Sequence, residues 1–509
     1  MTETRPDAGA AGGTPEQAGS GSLERLFGTA DHRTLGVVFI GFSLLFLIVM
    51  FVGRLLFGID GATDNGVLSS YAGMTDLSSQ VGLVLLGVVP LLIGLAVYVV
   101  PLQVGSPSIA FPRAVAFSLW MWVLSSGVFI TSVALDGGVG GGDDAASRLG
   151  NVSTGALLLS LGLATVAVMT TVVAHRPFGM GLARVPLFAW SMLVAGAVWV
   201  VSFGSAFAHV LIGQISHQGA QALAANFSAG LSWLLRAPSV YMVAVPVLGI
   251  ASDVVARSAG RRLAPYFVFQ TSIAAFAVLS FGAWAQVPAS SQNIVWTGVA
   301  LLIGLPVLGL LGGLADALRR GPVKVDAALI GSLLSVLLML GAVAGGLLIA
   351  LNNAGHGQLI GLSNASLAAS QAFFVVGAAL VGAVAGLCGW SPLIFGGVAS
   401  PKALGALLVL AGGVALMGTA ALVAGLVQID GADTGAQAFA ALGGLGAVLA
   451  LLGVLGSWVA ALGAAKEGTD GESNDLSGLT LEWAGGPRPI DAAPVQSEYP
   501  LLDDTEENA

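Results

Sequence analysis

YVVPLQVGSPSIAFPR, residues 98–113, joins the end of one long apolar run to the start of the next. Its prolines punctuate it: Pro101 and Pro107 are expected to stop the first helix, and Pro112 stands just before the second. Arg113 falls in the turn between them, where a cation favours the cytoplasmic side of a bilayer. The stretch therefore reads as a tight connection between two membrane spans.

Composition carries the same reading to the whole chain. Of 509 residues, 56% are hydrophobic and only 9% charged, and the mean hydropathy is +0.91; these values exclude an ordinary soluble protein. Apolar runs of about 20 residues recur, the length needed to cross a bilayer core. Twelve spans are expected, near 35–57, 79–101, 114–135, 153–173, 187–212, 232–252, 266–289, 296–315, 327–350, 366–390, 402–426 and 437–463. The fold class is an all-α integral membrane protein with twelve transmembrane helices.

The 18 Lys and Arg residues choose the topology. Arg113, Arg176, Arg184, Arg257, Arg261, Arg262, Arg319, Arg320, Lys324 and Lys402 fall in alternate loops, and the termini add Arg5, Arg25, Arg33, Lys466 and Arg488. Arg148 is the one clear cation in an opposite loop, while Arg54 and Arg236 stand at the outer ends of spans. Both termini are expected to be cytoplasmic, in a cell inner membrane. Residues 1–22 read as a disordered leader, 23–463 as one membrane domain and 464–509 as an acidic cytoplasmic tail. The net charge of −9 resides in that tail, so no basic face for nucleic acid exists. The single Cys388 excludes a disulfide within the chain. The Gly- and Asp-rich DGGVGGGDDAAS loop lacks the acid spacing of a calcium loop. His32 reads as an interfacial or capping residue, and His209 as a polar group finding a carbonyl.

The irregular order of residues 98–113 resembles the Y-x-V-P-L-Q-x-G-A-P-D-x-A-F-P-R loop of subunit I of the haem-copper (cytochrome c) oxidases. RPFGMGLARVPLFAW, from Arg176, is similar to that family's R-A-P-G-M-x-x-x-R-x-P-x-F-x-W. TLEWAGGPRP at 480–489 resembles its segment after the last helix. The resemblance runs from about residue 23 to about 496 and implies a subunit I-like helical bundle. It would also imply two haems and one copper, held by six histidines, because neutral imidazole binds iron and copper well in a low dielectric.

This chain has five histidines in all. Carrying the family's motifs over residue by residue, Gln80 stands at the first low-spin haem ligand. Ala237, Gln286 and Val287 stand at the copper ligands, and Ser370 and Ala372 at the high-spin and second low-spin haem ligands. Amide and hydroxyl oxygens are poor ligands for these metals. The family's proton-handling positions are altered as well: Ser108 replaces its loop aspartate, Ser239 its glutamate and Leu310 its lysine, while Tyr241 is retained. Proton relays through membranes need ionisable groups, and none is expected in the core of a span. No cofactor, metal or catalytic residue is therefore expected. Arg236 either snorkels to headgroups or contacts a partner's acid or an anionic ligand.

Three functional readings follow. The first is a cofactor-free structural or assembly subunit of a respiratory membrane complex, with lipid and other subunits as partners. The second is a transporter or binder of a lipid, quinone or small apolar molecule in the former haem cavities. The third, an active terminal oxidase, is opposed by the histidine count.

Overall fold

A computed structural model of the chain describes residues 28–63, 76–139, 142–215, 241–286, 294–354, 362–427, 434–467 and 480–483. Among them, twelve helical spans are long and apolar enough to cross a membrane. They are α1 (His32–Thr63), α2 (Ser78–Gln103), α3 (Pro112–Ala134), α4 (Asp144–Ala174), α5 (Leu187–Ile215) and α6 (Val245–Ser258). α7 runs Tyr266–Leu279 with a 3-10 extension Ser280–Gln286, and α8 is broken at Ile303 into Ile294–Leu302 and Gly304–Arg320. α9 (Ala327–Asn353), α10 (Asn364–Gly389), α11 (Lys402–Leu426) and α12 (Thr434–Glu467) complete the set. The protein is an all-α, multi-pass membrane bundle.

Apart from α2 and α3, consecutive helices lie side by side, and α12 returns to pack on α1, so the path closes on itself. Within the closed path the spans containing α2, α6 and α10 are 100%, 83% and 78% buried, against 22–56% for the other nine. These three are the inner helices, and their residues face protein on nearly every side.

Glycine permits that closeness. A Cβ on Gly36 of α1 would lie 2.8 Å from the Gly94 carbonyl, and one on Gly94 of α2 would lie 2.8 Å from Phe39 Cβ. In lipid the hydrophobic effect contributes little to helix association, so contact between bare backbones takes its place.

The turn at 98–113 differs in detail from its proline pattern. Pro101 lies inside α2, which continues to Gln103, and Pro112 is the first residue of α3. A proline in the last turn forfeits only one hydrogen bond, and the end is closed by Val104 N to Val100 O (3.0 Å) and Ser106 N to Pro101 O (2.8 Å). Phe111, at φ 53°, caps α3 from the left-handed region.

Three other expectations shift. Asp31, and not His32, caps α1: its carboxylate accepts from Thr34 N at 3.0 Å and Arg33 N at 3.3 Å. Burial works to raise the Asp31 carboxyl, but the hydrogen bonds from Thr34 and Arg33 outweigh it and hold it below the usual range. α4 and α8 outrun the apolar stretches, starting at Asp144 and ending at Arg320, because a helix need not stop at the edge of the hydrocarbon. α6 runs on to Ser258, past the expected end at 252, and so carries an acid, Asp253.

α2 contains a π-helical segment, Gly82–Val88, in which Val89 N–H reaches Val84 O. The wider winding turns a carbonyl outward, and Trp122 Nε1 of α3 donates to Leu85 O at 3.0 Å. Irregular backbone survives in a membrane helix when protein resatisfies it.

Replacing Gly94 by valine is expected to cost about 1–3 kcal/mol by forcing α1 and α2 apart. Gly41→Val, where no atom lies within 4 Å of the new Cβ, should stay within about 0.5 kcal/mol. Thermal midpoints in one detergent compare the two.

Candidate functional site

The interior polar centre is assembled from three neutral side chains. Tyr241 stands in the 3-10 turn Tyr241–Val243 ahead of α6 and is 1% exposed. Gln286 ends the extension of α7, and Gln371 lies on α10. Gln286 Nε2 donates to the Tyr241 hydroxyl at 3.3 Å, and the Phe276 ring meets the Tyr241 ring edge-on at 5.8 Å. All of this converges on Gly346 of α9. A Cβ there would fall on the Tyr241 hydroxyl, 2.5 Å from Gln286 Nε2 and 2.6 Å from Gln371 Nε2. The absence of a side chain at 346 lets four elements close on one point.

Further amides continue the network toward one end of the bundle. Asn353 Nδ2 donates to the Gln286 carbonyl at 3.2 Å, and Asn364 Nδ2 to Asn353 Oδ1 at 2.7 Å. Asn352 Nδ2 donates to Asn364 Oδ1 at 2.9 Å and to Leu362 O at 3.0 Å. These side-chain amides are uncharged across the physiological range, so the network provides hydrogen bonding without general acid or base chemistry.

The residues singled out from sequence are distributed around this centre. Gln80 and Ala372 line one small cavity with Arg54, Ser79, Leu83, Ala369, Phe373 and Val376, of about 30 Å³. That is room for about one or two water molecules. Arg54, expected at the interface, stacks over the Phe373 ring at 4.9 Å beside this cavity. Ser370 is fully buried and donates to the Gly418 carbonyl of α11 at 2.7 Å. It does not join Tyr241. Leu310 is buried in the apolar core of α8, and Ser108 sits in the 98–113 turn, bonding locally to the Ile109 carbonyl. Ala237, Val287, Ser239 and Arg236 lie outside the described residues, as do His217 and His356. His209 Nδ1 lies 2.9 Å from Ser205 O, one turn back.

Gln371 was not singled out by sequence. Residues 370, 371 and 372 step about 100° apart around α10, so they face α11, Gly346 and α2 in turn. The motif drew attention to 370 and 372. An amide in the Gly- and Ala-rich run of an inner helix was the available signal, because a buried amide must find partners.

A second polar cluster lies at the opposite end of α2. Gln103 Nε2 donates to Asp253 Oδ2 and to Glu482 Oε1, both at 3.0 Å, while Gln103 Oε1 accepts from Ala189 N at 3.2 Å. Asp253 also accepts from Leu187 N at 3.2 Å and Phe188 N at 3.0 Å, at the start of α5. Burial pushes the Glu482 carboxyl above its ordinary value, and its hydrogen bonds offset only part of that. Among the described residues no group of three or more His, Cys, Asp or Glu is arranged to hold a metal ion.

The family model for the cytochrome c and quinol oxidase polypeptide I matches residues 34–455. The chain belongs to that family. Among its relatives, the probable cytochrome c oxidase subunit 1-alpha of Streptomyces avermitilis is 28% identical over 51% of this chain and 48% of its own length. The quinol oxidase subunit 1 of Bacillus subtilis is 28% identical over 51% of this chain and 43% of its own. The heme-copper oxidase subunit I+III of Aeropyrum pernix is 26% identical over 50% and 34%. The matched region thus spans about half or less of each of these oxidase polypeptides. Family membership accounts for the twelve-span bundle.

Gly346→Ala is expected to cost about 1–3 kcal/mol by overpacking the Tyr241 contact. Tyr241→Phe should cost about 1–3 kcal/mol by leaving the Gln286 amide without its acceptor. Combined in one chain, the two should cost less than their sum, since the second removes the atom that the first strikes. Additive shifts in thermal midpoint would place the two residues out of contact.

Proposed function

We propose that this chain is a haem-free and copper-free member of the oxidase polypeptide I family, retained as a structural or assembly subunit of a respiratory membrane complex. The observation that carries the reading is the closure at Gly346. Tyr241, Gln286 and Gln371 meet there, and Gln286 places a side-chain amide at a position where the family resemblance calls for an imidazole. Such groups are weak partners for copper and haem iron. The chain's five histidines are too few for the family's set of six, and Gln80, Ala237, Gln286, Val287, Ser370 and Ala372 occupy its ligand positions.

The cavity between Gln80 and Ala372 also speaks against a bulky occupant. At about 30 Å³ it is an order of magnitude below the roughly 300–1,000 Å³ of ordinary ligand sites. A quinone or lipid in a former haem cavity would need the helices to part, which makes the scaffold the better reading. In this proposal the loops with Arg113, Arg176 and Arg184 face the cytoplasm of a bacterial cell, as do both termini. Residues 23–463 form the membrane domain between a leader and an acidic tail. The partners are lipid and other subunits of the complex.

Purification from native membranes in mild detergent tests this. The expected preparation has no Soret band, far less than one copper per chain by elemental analysis, and stoichiometric co-purifying membrane subunits. A pyridine haemochromogen at one haem per chain would overturn the cofactor-free reading. A lone protein carrying an extractable quinone would favour a binder over a scaffold.

A further inference from the structure

Beyond α12 the described chain resumes at 480–483, with a 3-10 turn at Leu481–Trp483, and this short piece is seated in the bundle. Glu482 and Trp483 are each 6% exposed. The Arg257 guanidinium stacks over the Trp483 ring at 4.2 Å and donates to the Gly389 carbonyl at the end of α10. Gly105 faces Leu481, whose Cδ1 would lie 3.4 Å from a Cβ there. The socket is thus built from the ends of α2, α5, α6 and α10.

One amide serves both of its carboxyls. Asp253 accepts from Gln103, Leu187 N and Phe188 N, and Glu482 accepts from that same Gln103 nitrogen, with its own backbone, Thr480 and Trp390 also beside it. Both acids line one cavity of about 30 Å³ with Arg257, Arg262, Tyr266 and Trp390. Two carboxylates on one amide nitrogen repel, so ionising both while the segment is seated is costly. The charged and titratable groups facing Glu482 are Asp253 and Arg257 from α6, Arg262 from the following turn and Tyr266 from α7. α2 offers the neutral Gln103, α5 backbone N–H groups and α10 the neutral Trp390.

We propose that segment 480–483 is a proton-controlled latch, seated in the bundle while Glu482 is protonated and released when Glu482 ionises in water. The direction of its burial shift, upward, agrees. Below the ordinary carboxylate range Glu482 is protonated both seated and released, and seating is strongest. Between the ordinary and the raised value, release sheds a proton, so seating weakens up to about tenfold for each pH unit. Above the raised value the dependence ends.

Chymotrypsin cleavage after Trp483 in the full-length protein in micelles reads the released fraction, with products identified by mass. Rates are compared with those of Glu482→Gln from about pH 5 to about pH 9, so that the protease's own pH dependence divides out. The expected ratio of wild type to Glu482→Gln is lowest at the acidic end and rises tenfold or more toward the alkaline end. Asp253→Asn, which removes the competing charge, should flatten the rise. A ratio constant across the range overturns the latch, as does Glu482→Gln being cut faster than wild type throughout. An unchanged slope in Asp253→Asn overturns it too, and that readout does not depend on Glu482→Gln folding.

Discussion

In a helical bundle surrounded by lipid, every polar group must find its partner inside the protein. The meeting of Tyr241, Gln286 and Gln371 above Gly346 is where this constraint bears hardest. It draws α6, α7, α9 and α10 to a single point, where the Gln286 amide finds the Tyr241 hydroxyl and the buried Gln371 Nε2 packs close by without a hydrogen bond among the described residues. The asparagines at 352, 353 and 364 carry the same requirement toward the end of the bundle. What results is a continuous polar spine without a formal charge.

That neutrality links structure to proposed role. Moving electrons and protons through a membrane calls for metals or ionisable groups along the way, and a spine of amides supplies neither. It does supply directional, uncharged hydrogen bonds that need no counter-ion, which suits a member of an oxidase family acting as a framework. The charged chemistry is displaced to the far end of α2, where Gln103 arbitrates between Asp253 and Glu482.

Much of the fold was legible in the sequence. Apolar runs of bilayer length located the twelve spans, because hydrocarbon thickness leaves helices little choice. Boundaries were less legible where polar residues extend a helix beyond the apolar core, as at Asp144, Ser258 and Arg320. Asp253 was missed for that reason. Of the positions that the motifs singled out, Gln80 and Ala372 share a cavity and Tyr241 touches Gln286. Gln371 was not legible, since a motif names positions while facing depends on helix rotation. The close approach at Gly346 was illegible as well, being one of 73 glycines, and only the neighbours of a glycine reveal which one matters.

The π-helical segment Gly82–Val88 has a consequence for how α2 can change. Helices are usually phased as one body, so that turning one end turns the other. In ordinary α-helix, removing one residue would swing everything before it by about 100°. A stretch of wider winding holds more residues in each turn, so one could be lost there by rewinding to α while both flanks keep the faces they present. A central helix built in this manner has slack in its length, so that Gln80 at one end and Tyr98 and Gln103 at the other need not be re-aimed by such a loss.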